Sequence, residues 1–136
     1  MKYEKEHYQQ LYDESVHQHK LMVDSIDHDR ILDEDGYPTE YCLELIKEWH
    51  WSDSKGWFDF IKRMWYMADW GWKECEEVDE ITNKKVWCYY LSTAGWSGNE
   101  AIIGAMEQNE WTWYLNWVQS RRGGHYIFQL KEFADD

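Results

Sequence analysis

Residues 91–128 read LSTAGWSGNEAIIGAMEQNEWTWYLNWVQSRRGGHYIF, and this stretch decides the fold. It opens on a turn rich in Gly and Ser, in which Ser97 is followed three residues later by Glu100. That spacing is the pattern of a capping box and predicts a helix that starts with Ser97 as its cap. Apolar residues recur to about Gln108, where we expect the helix to end. An Arg-Arg-Gly-Gly-His-Tyr corner follows at residues 121–126, and the glycines at both places indicate unusual backbone conformations or close approach.

Strands are predicted on both sides of this helix. Residues 86–91 read VWCYYL and, with residues 72–78 before a turn at Asn83-Lys84, predict an antiparallel hairpin. Residues 111–119 fit two patterns, because their aromatic residues alternate but also keep helical spacing. The aromatic content and the Gly-Gly corner ahead favour a strand that pairs with residues 126–130. The C-terminal half is therefore predicted to be β-β-α-β-β, with one helix crossing a small antiparallel sheet.

The N-terminal half is predicted to be helical. Residues 3–23 carry only a thin apolar stripe, so we expect a helix that packs by one edge. Thr39 is placed to cap a helix that runs to about His50, and a second helix begins after Asp53 and runs to about Met67. The resulting prediction is a single α+β domain over residues 1–136, with the N-terminal helices packed on the sheet. Its parts are an acidic helical segment (1–35), a helical pair (36–69) and the ββαββ half (70–136).

Composition and charge limit the classes of function. The chain has 136 residues, enough for one domain with a core, and contains eleven Trp and ten Tyr. Its net charge is −13, and residues 1–53 hold 5 basic and 14 acidic side chains, a net −9. We expect no direct nucleic acid binding, because such a surface repels phosphate backbones. Three cysteines without a C-x-x-C pair argue against a disulfide scaffold or a four-Cys zinc site. Without an apolar membrane span or a signal-peptide core, we expect a soluble cytoplasmic protein that has no membrane partner.

Several segments resemble metal-binding or catalytic motifs but lack residues that those motifs require. An acidic stretch at 24–36 is similar to a calcium loop, but the loop positions that need oxygen donors fall on Ile31 and Cys42, so it is interpreted as a linker. His7, His17 and His19 lack metal-ligand spacing, and we interpret them as solvated. No metal, cofactor or catalytic residue is therefore assigned. A serine hydrolase that uses Ser97 and His125 stays as a minor alternative, although Asn99 replaces the last Gly of the nucleophile elbow.

The leading hypothesis for the site is a phosphate-bearing ligand. Free N–H groups at a glycine-rich helix start attract anions, arginine forks suit phosphate, and aromatic rings can stack a base. The alternative stays open: a purely structural hairpin whose arginines pair with acidic side chains. If the ligand hypothesis holds, the binding residues are Gly95, Trp96, Ser97, Gly98, Asn99, Arg121, Arg122, His125 and Tyr126.

Four segments carry a resemblance to a family of small uncharacterised proteins from tailed bacteriophages and prophages. They are Tyr37-Pro38-Thr39-Glu40, Trp70-Gly71-Trp72, Ser92–Glu100 (STAGWSGNE) and Ser120–Tyr126 (SRRGGHY). The likeness covers roughly residues 36–130, and the family has Gly where this chain has Ala94. It implies a phage accessory protein in the cytoplasm of an infected host. Such a protein would act by binding, as a counter-defence factor that sequesters a nucleotide signal. The alternative is an acidic inhibitor of a host defence or nucleic-acid enzyme with a basic surface. A homodimer remains open.

Overall fold

The computed structural model describes residues 2–130 and contains six α-helices and four β-strands within them. Two short 3-10 turns, His28–Arg30 and Trp51–Asp53, complete the described elements. In chain order the elements are α1 (Lys2–Asp24), α2 (Glu40–Glu48), α3 (Ser54–Lys62), α4 (Ala68–Gly71), β1 (Trp72–Val78), β2 (Lys85–Ser92), α5 (Ser97–Gln108), α6 (Glu110–Asn116), β3 (Trp117–Arg121) and β4 (His125–Leu130).

The four strands form one antiparallel sheet in the order β1-β2-β4-β3. The hairpin predicted for β1 and β2 is confirmed, and Asn83 in its turn has the left-handed backbone that such turns favour. The chain passes through α5 and α6 between β2 and β3. In the last hairpin it is the second strand, β4, that pairs with β2, and β3 pairs only with β4. Ser92, the final residue of β2, therefore lies opposite His125, the first residue of β4. The predicted α+β class is confirmed.

Aromatic side chains build the core between the helices and one face of the sheet. Phe58 of α3 stacks on Tyr89 of β2 with ring centroids 4.1 Å apart, and Trp113 of α6 meets Phe128 of β4 edge-on at 5.2 Å. Aromatic rings bury a large area per residue, and offset or edge-on pairs add a further attraction. The indole N–H of the fully buried Trp57 donates to the carbonyl of Ile46, so burial of its polar atom carries no unmet hydrogen bond.

The two helices predicted after residue 38 form, but α3 ends earlier than expected. Thr39 caps α2 as predicted, and α3 begins after Asp53 as predicted, with the Asp53 side chain as its cap. The helix expected to reach Met67 stops at Lys62. Both backbone polar groups of Tyr66 bond the side chain of Asn99 instead of a helical neighbour, and Met67 takes a left-handed conformation. This contact with Asn99 thus replaces the last helical turn that was predicted for α3.

The strand favoured for residues 111–119 is wrong over its first part. Residues 110–116 form α6, and only Trp117–Arg121 is a strand. Thr112 and Asn116 lie one helical turn apart and are both buried against the segment around the 3-10 turn, with Asn116 donating to Ser54 Oγ. The helix is favoured because it brings the side chains of Thr112 and Asn116 to their hydrogen-bond partners while Trp113 still contacts the sheet. The C-terminal half is therefore ββααββ.

Helix α1 docks through its second half, and one histidine prediction is wrong. Residues 4–14 are exposed, as a thin apolar stripe implies. His17 is also exposed, but the side chain of His19 is only 8% exposed. His19 Nε2 lies 3.0 Å from Asp53 Oδ2, and its Nδ1 accepts from the backbone N–H of His50. His19 is therefore a docking residue of α1 and not a solvated one.

Two further findings bear on the composition. Cys42, Cys75 and Cys88 are all free thiols. Burial raises the pKa of Cys42 to about 12, and burial together with Glu77 raises the pKa of Cys88 to about 12. Among residues 2–130, no helix has both the length and the apolar character needed to cross a membrane.

Candidate functional site

The glycine-rich turn between β2 and α5 uses left-handed backbone at two successive positions. Ala94 has φ +57° and Gly95 has φ +70°. The helix begins at Ser97, with Trp96 in the cap position and no side-chain cap. The predicted cap at Ser97 is therefore wrong, because Ser97 already belongs to the helix and the Glu100 N–H bonds the Trp96 carbonyl. The capping box is not formed.

Asn99 supports the fold. Its side chain is fully buried, with Oδ1 accepting from Tyr66 N at 2.9 Å and Nδ2 donating to Tyr66 O at 3.0 Å. A weaker bond from Nδ2 reaches the carbonyl of Thr93 at 3.4 Å. The amide thus ties the chain before α4 and the end of β2 to the first turn of α5. This arrangement uses both ends of the amide within the protein.

The Trp96 ring belongs to a packed layer of aromatic side chains, and Gly98 lies against it. The Trp96 ring stacks on Tyr37 at 4.7 Å and lies 4.5 Å from the ring of Tyr66. Gly98 is buried beneath it, and an added Cβ there would overlap the indole. The faces of Trp96 are therefore occupied by tyrosines, which explains why a glycine stands two residues later.

The two glycine turns do meet through their backbones. Thr93 N donates to Gly124 O at 3.0 Å, and a Cβ at Gly124 would overlap the side chain of Thr93. Gly123 and Gly124 both have positive φ, +86° and +78°. The chain separation of some thirty residues is thus closed at this point, as a shared site would require. The side chains around the junction divide between two separate cavities.

The first cavity is a groove of about 270 Å³ over the end of the sheet, which we call the arginine groove. Ser92, His125 and Arg121 are successive cross-strand partners on β2, β4 and β3, so their side chains lie on one face. Ser92 Oγ is 2.5 Å from His125 Nδ1, and Arg121 Nη2 donates to Gln119 at 3.4 Å. The groove is lined by Tyr90, Leu91, Ser92, Arg121, His125, Tyr126 and Ile127.

Charge in the arginine groove is positive. No acidic side chain lines it, and neither Arg121 nor Arg122 forms a salt bridge with any carboxylate among residues 4–130. The hydroxyl of Tyr90 donates to Glu77 at 2.6 Å, and this bond raises the pKa of Tyr90. Tyr90 therefore offers its ring to the groove, while its hydroxyl is already used. The structural alternative, in which the arginines pair with acidic helices, does not occur among these residues.

The second cavity is larger, about 530 Å³, and lies between α5 and the β3–β4 turn. We call it the glycine cavity, since four of the residues around it are glycines. Glu100 and Glu107 of α5 line it, so its charge is opposite to that of the arginine groove. Its full lining is Thr93, Gly95, Glu100, Ile103, Gly104, Glu107, Gly123, Gly124 and Tyr126.

No protein-family model, curated protein or solved structure matches the chain.

The structure therefore divides the predicted binding residues. Arg121, His125 and Tyr126 share the arginine groove, and Gly95 shares the glycine cavity with Tyr126. Trp96, Ser97, Gly98, Asn99 and Arg122 line neither cavity. His125 bonds Ser92, so the histidine of the suggested Ser97–His125 hydrolase pair has a different serine beside it.

Sequence reasoning missed residues in both cavities. Ser92 enters the arginine groove only through the strand register, which depends on β4 inserting between β2 and β3. Nothing in the local sequence signals that insertion. Glu100 and Glu107 of the glycine cavity are seven residues apart, a spacing that places two side chains on one face of a helix. That signal was available in the sequence.

Proposed function

We propose that the chain is a phage accessory protein that acts by binding a phosphate-bearing, nucleotide-type ligand in the arginine groove. The observation that carries the proposal is the row Ser92–His125–Arg121, which offers a hydroxyl, an imidazole and a guanidinium on one face of the sheet. Guanidinium forks and hydroxyls are donors suited to phosphate oxygens. In such a role the protein would sequester a host defence signal without turning it over.

Charge distribution supports an anion at this place. The chain has net charge −13, yet residues 111–130 contain two arginines and no Asp or Glu. An anionic ligand is repelled by most of the surface and attracted to this segment. The groove volume of about 270 Å³ suits the phosphate-bearing part of a ligand, since pockets for whole drug-sized ligands usually exceed about 300 Å³. The remainder of a nucleotide would extend along the ring of Tyr90, which lies on the same face of the sheet.

Calorimetric titration with a panel of cyclic and linear nucleotides, together with inorganic pyrophosphate, tests the proposal. At least one nucleotide should bind saturably, and Arg121→Gln should weaken it about tenfold through loss of a charged hydrogen bond. Arg122→Gln is the matched control, because it removes the same charge from the neighbouring position, outside the groove. No heat with any nucleotide, or equal losses in both variants, would contradict the proposal.

A second candidate is an acidic inhibitor that binds a basic surface on a host enzyme. The observation that favours it is the exposure of residues 4–14 of α1, which present Tyr8 and Leu11 beside acidic residues. A stoichiometric partner captured from host lysate should be lost when Asp29, Glu34 and Asp35 are neutralised. Asp27 and Asp33 are left intact because their carboxylates bond backbone N–H groups. A captured partner that tolerates the neutralised variant argues against this candidate.

A further inference from the structure

The glycine cavity is open because its walls are largely bare backbone. Gly95 and Gly104 both have free space where a Cβ would stand. Gly104 lies in the middle of α5, where glycine costs helix stability relative to alanine, so no helical requirement explains it. The cavity volume of about 530 Å³ falls in the range of roughly 300–1,000 Å³ that is usual for ligand pockets. A ligand could therefore approach the main chain of α5 and of the two turns closely.

Two carboxylates face this space without a counter-charge of their own. Glu100 and Glu107 line the cavity, and neither forms a salt bridge or a side-chain hydrogen bond among residues 4–130. No Lys, Arg or His is among the lining residues. Arg121 at this end of the sheet lines the arginine groove instead, and Arg122 lines neither cavity. The glycine cavity therefore repels a phosphate and favours a cation.

Tyr126 supplies an aromatic wall between the carboxylates and the turn. Burial raises the pKa of the Tyr126 hydroxyl, and the charges of Glu107 and Glu100 raise it further, so both carboxylates act on this ring. An aromatic ring beside carboxylates is the environment in which alkylammonium and guanidinium groups bind, because ring face and carboxylate both attract positive charge. Ile103 adds an apolar surface for the alkyl part of such a group.

We propose that the glycine cavity binds an alkylammonium or guanidinium group, held between Glu100 and Glu107 and against the ring of Tyr126. The group would come from an arginine or lysine side chain of a basic partner, or from a free polyamine. This site is separate from the arginine groove and takes the opposite charge. It does not depend on the proposed phosphate ligand.

Titration with three cationic probes tests the proposal: agmatine, spermidine and N-acetyl-arginine amide, with N-acetyl-citrulline amide as the neutral analogue. At least one cation should bind saturably while the citrulline analogue does not. Glu107→Gln and Glu100→Gln should each weaken binding about fivefold, as loss of one partly exposed charge pair implies. Glu110→Gln is the matched control, because Glu110 is an exposed carboxylate on α6 that does not line the cavity.

A steric variant provides a second test that does not rely on charge. Gly104→Leu places a side chain in the open space of the cavity, on a helix that prefers leucine to glycine. It should abolish cation binding, while thermal melting shows that the protein remains folded.

Arg121→Gln should leave cation binding unchanged, so this proposal and the phosphate proposal can fail separately. Tighter binding of the arginine amide than of spermidine supports a protein partner, and the reverse order supports a polyamine. No saturable binding of any cation, binding that survives Gly104→Leu, or equal losses in Glu107→Gln and Glu110→Gln would overturn it.

Discussion

Ala94 occupies a backbone conformation that glycine adopts more easily. Its φ of +57° lies in the left-handed region, and its side chain is exposed. Left-handed backbone costs an L-residue roughly 1–2 kcal/mol, and part of that cost is offset because alanine loses less entropy on folding.

Ala94→Gly should therefore stabilise the protein by about 0.5–1 kcal/mol. Chemical denaturation in urea measures the change in the free energy of unfolding. Ala101→Gly is a suitable control, since Ala101 is an exposed residue inside α5, where glycine should destabilise by about 1 kcal/mol. A loss of stability in Ala94→Gly would show that the left-handed turn is wrong.

Helix α1 is held by two histidines whose ring nitrogens have defined roles. His50 Nδ1 accepts from Ser52 N at 3.1 Å, and His19 Nδ1 accepts from His50 N at 3.3 Å. An imidazole nitrogen that accepts a backbone N–H carries no proton, so the Nδ1 atom of each ring is an acceptor in this arrangement. Their Nε2 atoms are then the donors, to Ser15 from His50 and to Asp53 from His19.

This arrangement predicts that docking of α1 weakens in acid. Burial lowers the pKa of His50 from 6.5, the charge of His19 lowers it further, and Asp53 acts in the opposite direction. The unfolded chain therefore binds more protons than the folded one as the pH falls below 6.5. The contribution of His50 to stability is complete above that pH and is lost progressively below it. Urea denaturation at pH 7.5 and at pH 5.5 measures the loss.

A His50→Gln variant should show a smaller drop in stability between these two pH values than the unmodified chain. His17→Gln serves as the control, because His17 is an exposed histidine of α1. If the two variants respond to pH alike, the histidine contacts do not hold α1.

At the scale of the whole molecule, the sequence predicted those elements whose signals are local. Thr39 capped α2 and the β1–β2 hairpin formed, because caps and turns depend on neighbouring residues. Most errors came where distant groups compete for a backbone or a face, although the local capping-box pattern at Ser97 also failed. Asn99 took the peptide groups of Tyr66 and shortened α3, and Thr112 with Asn116 set the period of α6. Such contacts exist only once the chain is folded.

The candidate site follows the same division. The backbones of the two glycine turns meet where Thr93 bonds Gly124, although Ser97 and Arg122, both predicted to bind the ligand, line neither cavity. The sheet register then decides which side chains share a space, and it places Ser92 with His125 and Arg121 while Glu100 and Glu107 line a separate cavity. A chain with net charge −13 thus presents two small regions of opposite sign on either side of one turn.

The Ser92–His125–Arg121 row is proposed to hold phosphate, and the neighbouring glycine cavity is proposed not to. Two-dimensional amide NMR during titration with pyrophosphate tests it most directly, since each backbone N–H reports its own surroundings. Saturable shifts are expected for the amides of Ser92, Arg121 and His125, with those of Gly104 and Glu107 unchanged. Shifts centred on Gly104 and Glu107, or no saturable shift at any of these amides, would contradict it.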